Sequence, residues 1–166
     1  MEQRRRHYIV VTNNPLVAEK WPNEAQLVDG DPGCVFAAVR DLVHRGHRLL
    51  THPLAGSVKP NESPYRSVIV TREPEPRIQP GIQPGAPRSA APSADPAAAP
   101  GASVDLDSLR LIEAALSTLG KLVKTSGLRY ARAGGRWLPP EVDQDYRLLD
   151  ADLMESAVES LNDSRR

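Results

Sequence analysis

The sequence predicts a small α/β protein in which a mostly parallel sheet of about four strands is covered by helices. Three observations lead to this prediction. Short β-branched runs alternate with helical patterns over residues 7–72, a segment rich in proline and alanine follows at 73–103, and residues 104–162 show helical periodicity alone. We therefore expect the first half of an α/β domain, then a disordered insertion, then a helical second half that packs on the sheet.

Four short apolar runs predict the strands. Residues 8–11 are of the kind that is buried on both faces of a sheet, and the turn-forming Asn-Asn-Pro at 13–15 closes this run. The second and third strands are predicted at 25–28 and 47–51, and the fourth, at 67–71, is predicted at a sheet edge.

Four segments have helical signals. A short helix at 16–21 ends before Pro22. The helix at 32–45 has the clearest start, because Asp31 can cap it and Pro32 suits its first position. Two more helices are predicted at 105–124 and at about 150–161. We interpret acidic residues at the starts of these last two helices, including Asp105 and Asp150, as exposed side chains favoured by the helix dipole.

The segment 73–103 has the composition of a linker. It holds eight of the sixteen prolines and eight alanines, and its only large apolar side chains are Ile78 and Ile82. Such a segment buries too little apolar surface to offset the entropy of folding. The sequence therefore predicts that it is disordered.

Charge and cysteine content exclude several classes of function. The 21 basic and 21 acidic residues balance, which argues against a nucleic-acid partner. No apolar run approaches the length of a membrane span, and the short run at 8–11 does not make a signal peptide. The single cysteine, Cys34, fits a reducing compartment, so we expect a cytoplasmic protein. Its position near a helix start leaves open whether the thiol is reactive or simply packed.

The loop after the third predicted strand is the best candidate site. In a parallel sheet the loops after the strands share one edge, where ligands bind. Three prolines stiffen residues 52–65, and this loop should lie opposite two asparagines that follow the first strand. A small anionic molecule could bind there through these candidate residues: Asn13, Asn14, His52, Gly56, Ser57, Lys59, Asn61 and Tyr65.

The same side chains are often used inside a protein to fix turns, so a purely structural or partner-docking loop is the alternative. The spacing matches neither a phosphate-binding loop nor a dinucleotide fingerprint. The histidines at 44, 47 and 52 should point in different directions, so we expect no metal site. No pattern predicts a cofactor, and no catalytic residue is assigned.

Three stretches of the chain carry a family resemblance: TNNPL at 12–16, RDLVH at 40–44 and GHRLLTHPLAGSVKPNESPYRS at 46–67. They resemble the GrdX family over about residues 7–71. The likeness is looser in the helix from Leu106 and at 145–150, and the insertion departs from the family. GrdX proteins are encoded with components of the glycine, sarcosine and betaine reductases. The resemblance therefore implies an accessory role in that system, with such a component as partner, and it transfers no catalytic residues.

Two functions of different classes follow. The first is a non-catalytic accessory or binding protein of the amino-acid reductase system. The second is an enzyme that acts on a small anionic metabolite at the loop from His52 to Tyr65. A convergent pocket containing His52 and Lys59 would favour the enzyme, whereas polar groups satisfied within the protein would favour the accessory role.

Overall fold

A computed structural model describes residues 7–56, 58–74, 103–126 and 138–163 of the chain. Strands and helices alternate through the first half, and two long helices make up the rest. The elements are β1 (Tyr8–Thr12), α1 (Pro15–Lys20), β2 (Ala25–Leu27), α2 (Pro32–His44), β3 (Ser67–Thr71), α3 (Leu106–Ser126) and α4 (Pro140–Asp163).

The sheet among the described residues has three strands in the order β2-β1-β3. Strand β2 runs parallel to β1, whereas β3 runs antiparallel to it, with Thr12 opposite Ser67. The α/β class is confirmed, but the prediction of about four, mostly parallel strands is wrong. In this three-stranded sheet β3 is an edge strand, as predicted, although residues 48–51 hydrogen-bond to its outer side.

The predicted strand at 47–51 is the main error. This segment lies beside β3 but forms a single isolated bridge, between Leu49 and Val70. Backbone hydrogen bonds from the Leu50 N–H to the Ile69 carbonyl oxygen and from the Thr71 N–H to that of Arg48 join the two segments, and side-chain hydroxyls take the place of further ladder partners. The backbone N–H of Leu49 donates to Ser108 Oγ, and the N–H of Ile69 donates to Thr51 Oγ1. Because serine and threonine side chains compete with backbone groups as hydrogen-bond partners, a regular ladder does not form.

Both faces of the sheet are covered. Val11, Val68 and Val70 pack in one cluster with buried residues of α2 and α3. Val10 and Ile69 point to the opposite face and pack in a second cluster with residues of α1 and α4. The alternation of neighbouring residues between two apolar clusters explains why these strands are β-branched throughout.

Local signals place the start of α2 and explain that of α4. The Asp31 side chain caps α2 by accepting from the Cys34 N–H, and Pro32 occupies the first helical position, as predicted. Helix α4 begins at Pro140, ten residues before its predicted start at 150. Proline is well suited to the first turn of a helix, so Pro140 is itself a local signal for this earlier start.

The proposed insertion at 73–103 lies outside the described residues except at 73, 74 and 103. Helices α3 and α4 are long, but within the described ranges no helix is long and apolar enough to cross a membrane.

Candidate functional site

The loops that carry the candidate residues meet where β1 ends. Asn13 and Asn14 follow this strand directly. Strand β3 is antiparallel to β1, so its first residue, Ser67, lies beside Thr12, and the loop before it reaches the same place. The loop therefore lies beside the end of β1, as predicted. It does so because it precedes an antiparallel strand, and not because it follows a parallel one.

Asn13 joins three segments through its side chain. Its Nδ2 donates to the carbonyl oxygen of Gly30 at 2.9 Å and to that of Pro64 at 2.8 Å. Its Oδ1 accepts from the backbone N–H of Arg66 at 2.8 Å. Both amide protons are used, and the residue is only 8% exposed. An asparagine in this state holds two loops against the end of β1.

Asn14 has a similar role toward the helices. Its Oδ1 accepts from the Leu16 N–H and caps α1. Its Nδ2 donates to the carbonyl oxygen of Arg147 at 2.9 Å and to Asp150 Oδ2 at 3.0 Å. Because the residue is fully buried and both of its amide protons are bonded within the protein, it fixes α1 and α4 to each other.

Asp150 is the buried centre of a chain of polar contacts. Its Oδ2 accepts from Ser67 Oγ at 2.7 Å, and Ser67 Oγ lies 2.7 Å from Thr12 Oγ1. A serine has one hydroxyl proton, so Thr12 donates to Ser67 and Ser67 donates to the carboxylate. The prediction that Asp150 is an exposed first-turn acid is wrong, since it is 6% exposed. Its spacing of four and eight residues from Met154 and Val158 was the signal that could have placed it on the buried face.

Burial raises the pKa of the Asp150 carboxyl above its ordinary value. The hydrogen bonds from Ser67 and Asn14 and the charge of Arg66 act in the opposite direction and reduce this rise in pKa. Desolvation disfavours the ionised form more than these partners favour it.

Arg66 ties the candidate loop to this cluster. It is 4% exposed, and its guanidinium donates to the carbonyl oxygens of Ala55 at 3.1 Å and Val58 at 3.0 Å. A rigid planar donor that holds two loop carbonyls explains how the loop keeps its shape. Sequence reasoning did not include Arg66 in the site.

Tyr65 belongs to a second polar group nearer the surface. Its hydroxyl donates to Asp143 Oδ1 at 2.7 Å and accepts from Arg147 Nε at 3.0 Å, while Arg147 also pairs with Asp143 at 2.8 Å. Burial, and then the hydrogen bond to Asp143, raise the pKa of the Tyr65 phenol. The group links the loop to the first turns of α4.

The remaining candidates divide between surface and interior. His52, Gly56 and Lys59 are exposed, and His52 Nδ1 accepts from the backbone N–H of Leu54 at 3.1 Å. Asn61 is buried, at 2% exposure. Ser57 lies outside the described residues. Among the described candidates, Asn13, Asn14 and Asn61 are thus buried and Tyr65 is half-buried, whereas His52 and Lys59 are exposed.

Gly56 is at a close approach between the loop and α4. Its φ is +118°, and a Cβ there would lie 3.0 Å from Leu153 Cδ1. A side chain is therefore disfavoured both by the backbone conformation and by the neighbour.

Cys34 packs at the start of α2. Its thiol lies so close to Gly30 that a Cβ on that glycine would be 2.6 Å from Cys34 Sγ. Within the described ranges there is no group of three histidine, cysteine or acidic side chains able to hold a metal ion. A shallow concavity of about 380 Å³ opens at the start of α3 and is lined by residues 103–107 and Arg110, none of which was a candidate residue.

The site as a whole can fix helices and loops in place, and its exposed members can contact a solute or a partner. Comparison with curated proteins and with solved structures found no match. A family model described as GrdX-like protein does match, over residues 9–79. This span begins at the second residue of β1, contains α1, β2, α2, β3 and all eight candidate residues, and stops before α3. This match over residues 9–79 confirms the resemblance to the GrdX family noted in the sequence.

Proposed function

We propose that this chain is a non-catalytic accessory or binding protein of the glycine, sarcosine and betaine reductase system. The observation that carries the proposal is the match of residues 9–79 to the GrdX family, whose members are encoded with components of these reductases. The single cysteine fits a reducing compartment, so we assign the protein to the cytoplasm.

The geometry of the candidate site supports a binding role over a catalytic one. Asn13 and Asn14 each donate both side-chain amide protons to acceptors within the protein. Asp150 is hydrogen-bonded to Ser67, which is in turn hydrogen-bonded to Thr12. A catalytic acid or base needs to reach the proton that it transfers on a bound substrate. Polar groups that are buried and paired with each other instead stabilise the surface that they support.

A small anionic ligand remains part of the proposal, at the exposed side of the loop. His52 and Lys59 are the exposed members able to contact an anion, and the prolines and Arg66 hold the backbone between them. Such a ligand would bind at the surface, where solvent screens its charge, so we expect weak binding.

The test measures binding of the immobilised chain to purified components of the three reductases, one component at a time. We expect saturable binding of at least one component, with no consumption of glycine, sarcosine or betaine by the chain alone. Failure of every component to bind would remove the accessory role. Turnover of a small anionic metabolite by the purified chain, lost in a His52→Ala variant that keeps its melting temperature, would identify an enzyme instead.

A further inference from the structure

The outer side of α4 carries an apolar stripe that the core does not use. Its members recur at intervals of four, three and four residues, which aligns them along one side of a helix: Val142, Tyr146, Leu149 and Leu153. Val142, Leu149 and Leu153 are 37%, 40% and 36% exposed. The buried side of the helix is a different one, formed around Ala151, Met154 and Val158.

An acidic row runs beside this stripe. Asp145, Asp152 and Glu159 follow each other at intervals of seven residues, so they lie on one side of the helix, centred about a quarter of a turn from the centre of the stripe. All three are exposed. Within the described ranges none of the three forms an ion pair, whereas Glu155 pairs with Lys20. We call the stripe and this row together the α4 face.

The charge of α4 limits what can cover the face. The helix contains eight acidic residues and one basic residue. A second copy that docked through the same face would bring two acidic rows together, which like-charge repulsion disfavours. The phosphates of nucleic acids and of anionic lipids would be repelled in the same way. Only a partner with basic groups beside an apolar surface satisfies both parts of the face.

We propose that the α4 face docks a basic amphipathic helix of a partner protein. Leucines of the partner helix pack on the apolar stripe, and its lysines or arginines pair with Asp145, Asp152 and Glu159. The face extends to the candidate loop, because Leu153 lies against Gly56. The proposal concerns a surface outside residues 9–79 and does not depend on the assignment to the reductase system.

The experiment uses the full chain and a labelled synthetic peptide of about five helical turns, with leucines along one side and lysines beside them. A second peptide has the same composition with the leucine positions scrambled. Binding is measured by fluorescence anisotropy at two salt concentrations. We expect the amphipathic peptide to bind at least about tenfold more tightly than the scrambled one, and more weakly at high salt.

Two variants and a matched control locate the binding. Leu149→Ser with Leu153→Ser, and separately Asp152→Asn with Glu159→Gln, should each weaken peptide binding roughly tenfold or more. Leu111→Ser on α3 should leave it unchanged, since Leu111 is similarly exposed, at 39%, but lies on another helix. The melting temperature of each variant is measured beside its affinity, because Leu153 also lies against Gly56 and its replacement can lower stability.

Three results would overturn the proposal. The first is equal affinity for both peptides, or for the wild type and both α4 variants. The second is self-association of the wild type in sedimentation equilibrium that Leu149→Ser with Leu153→Ser abolishes, which would make a second copy the occupant. The third is peptide binding only after residues 127–137 are replaced by glycine and serine, which would make that segment of the chain the occupant.

Discussion

Replacing Asp150 by asparagine tests whether the buried carboxyl makes the stability of this protein depend on pH. Burial raises the pKa of Asp150 in the folded protein above the ordinary value of 3.8. The folded state therefore holds the proton more tightly than the unfolded chain does. The stability that this group contributes is complete below its unfolded pKa, and it is lost as the pH rises through the raised pKa of the folded state.

The hydrogen bonds at Asp150 set the size of the effect. Its Oδ2 accepts from Ser67 Oγ and Asn14 Nδ2. The side-chain oxygen of an asparagine can accept both bonds without titrating, so we expect Asp150→Asn to unfold within about 1 kcal/mol of the wild type near neutral pH. Alanine removes both acceptors. The Ser67 hydroxyl can then turn to Thr12, but one Asn14 donor is left buried, so Asp150→Ala should cost about 2–4 kcal/mol.

Urea denaturation followed by tryptophan fluorescence measures these differences. Trp21 is buried in the same cluster as Met154 of α4, so its emission reports on the docking of that helix. As the pH rises above the ordinary pKa of 3.8 and through the raised pKa of the folded state, the free energy of unfolding of the wild type should fall relative to that of Asp150→Asn. Asp152→Asn, an exposed control on the same helix, should follow the wild type. Parallel curves for the wild type and Asp150→Asn would refute the reasoning, as would equal stability of the alanine and asparagine variants.

Three further predictions concern the loops. Asn13→Ala should lower the free energy of unfolding by about 2–4 kcal/mol in urea titrations, since it leaves three buried or half-buried backbone groups without their partner, whereas a binding residue could be lost without such a cost. If an anion such as phosphate binds the loop, calorimetry should detect roughly tenfold weaker binding to Lys59→Ala and unchanged binding to Lys121→Ala, an exposed lysine on α3. A short glycine-serine linker in place of residues 73–103 should change the free energy of unfolding by no more than about 1 kcal/mol, because loop entropy grows slowly with length. A variant that failed to fold would show that the segment packs against the rest of the protein.

The elements that the sequence predicts well are those with local signals. Helix α2 has its cap at Asp31, a proline in its first turn and an apolar stripe, all within the segment itself. Strand β3 is found at the predicted residues because its run of β-branched side chains suits burial on both faces. The predicted number and direction of the strands are wrong, since pairing depends on contacts between distant segments that one sequence does not reveal.

The segment 47–51 shows why such contacts matter. It contains a short run of two leucines and a threonine that favoured a strand, yet the Leu49 N–H bonds to Ser108, which is 59 residues away in the chain. No local pattern specifies that partner. Asp150 was misjudged for a related reason, because acidic residues are common at exposed helix starts and the true start of α4 lies at Pro140.

The candidate residues illustrate an ambiguity that only the fold resolves. An asparagine after a strand can bind a ligand or fix a loop, since the same amide supplies the donors in both cases. At the end of β1 the partners of Asn13 are carbonyl oxygens of Gly30 and Pro64, so these donors are already used. The surfaces that we propose for recognition lie outside this cluster, at the exposed part of the loop and at the α4 face. These two surfaces meet where Leu153 lies against Gly56, so a partner helix seated on the α4 face should also cover the loop at Gly56.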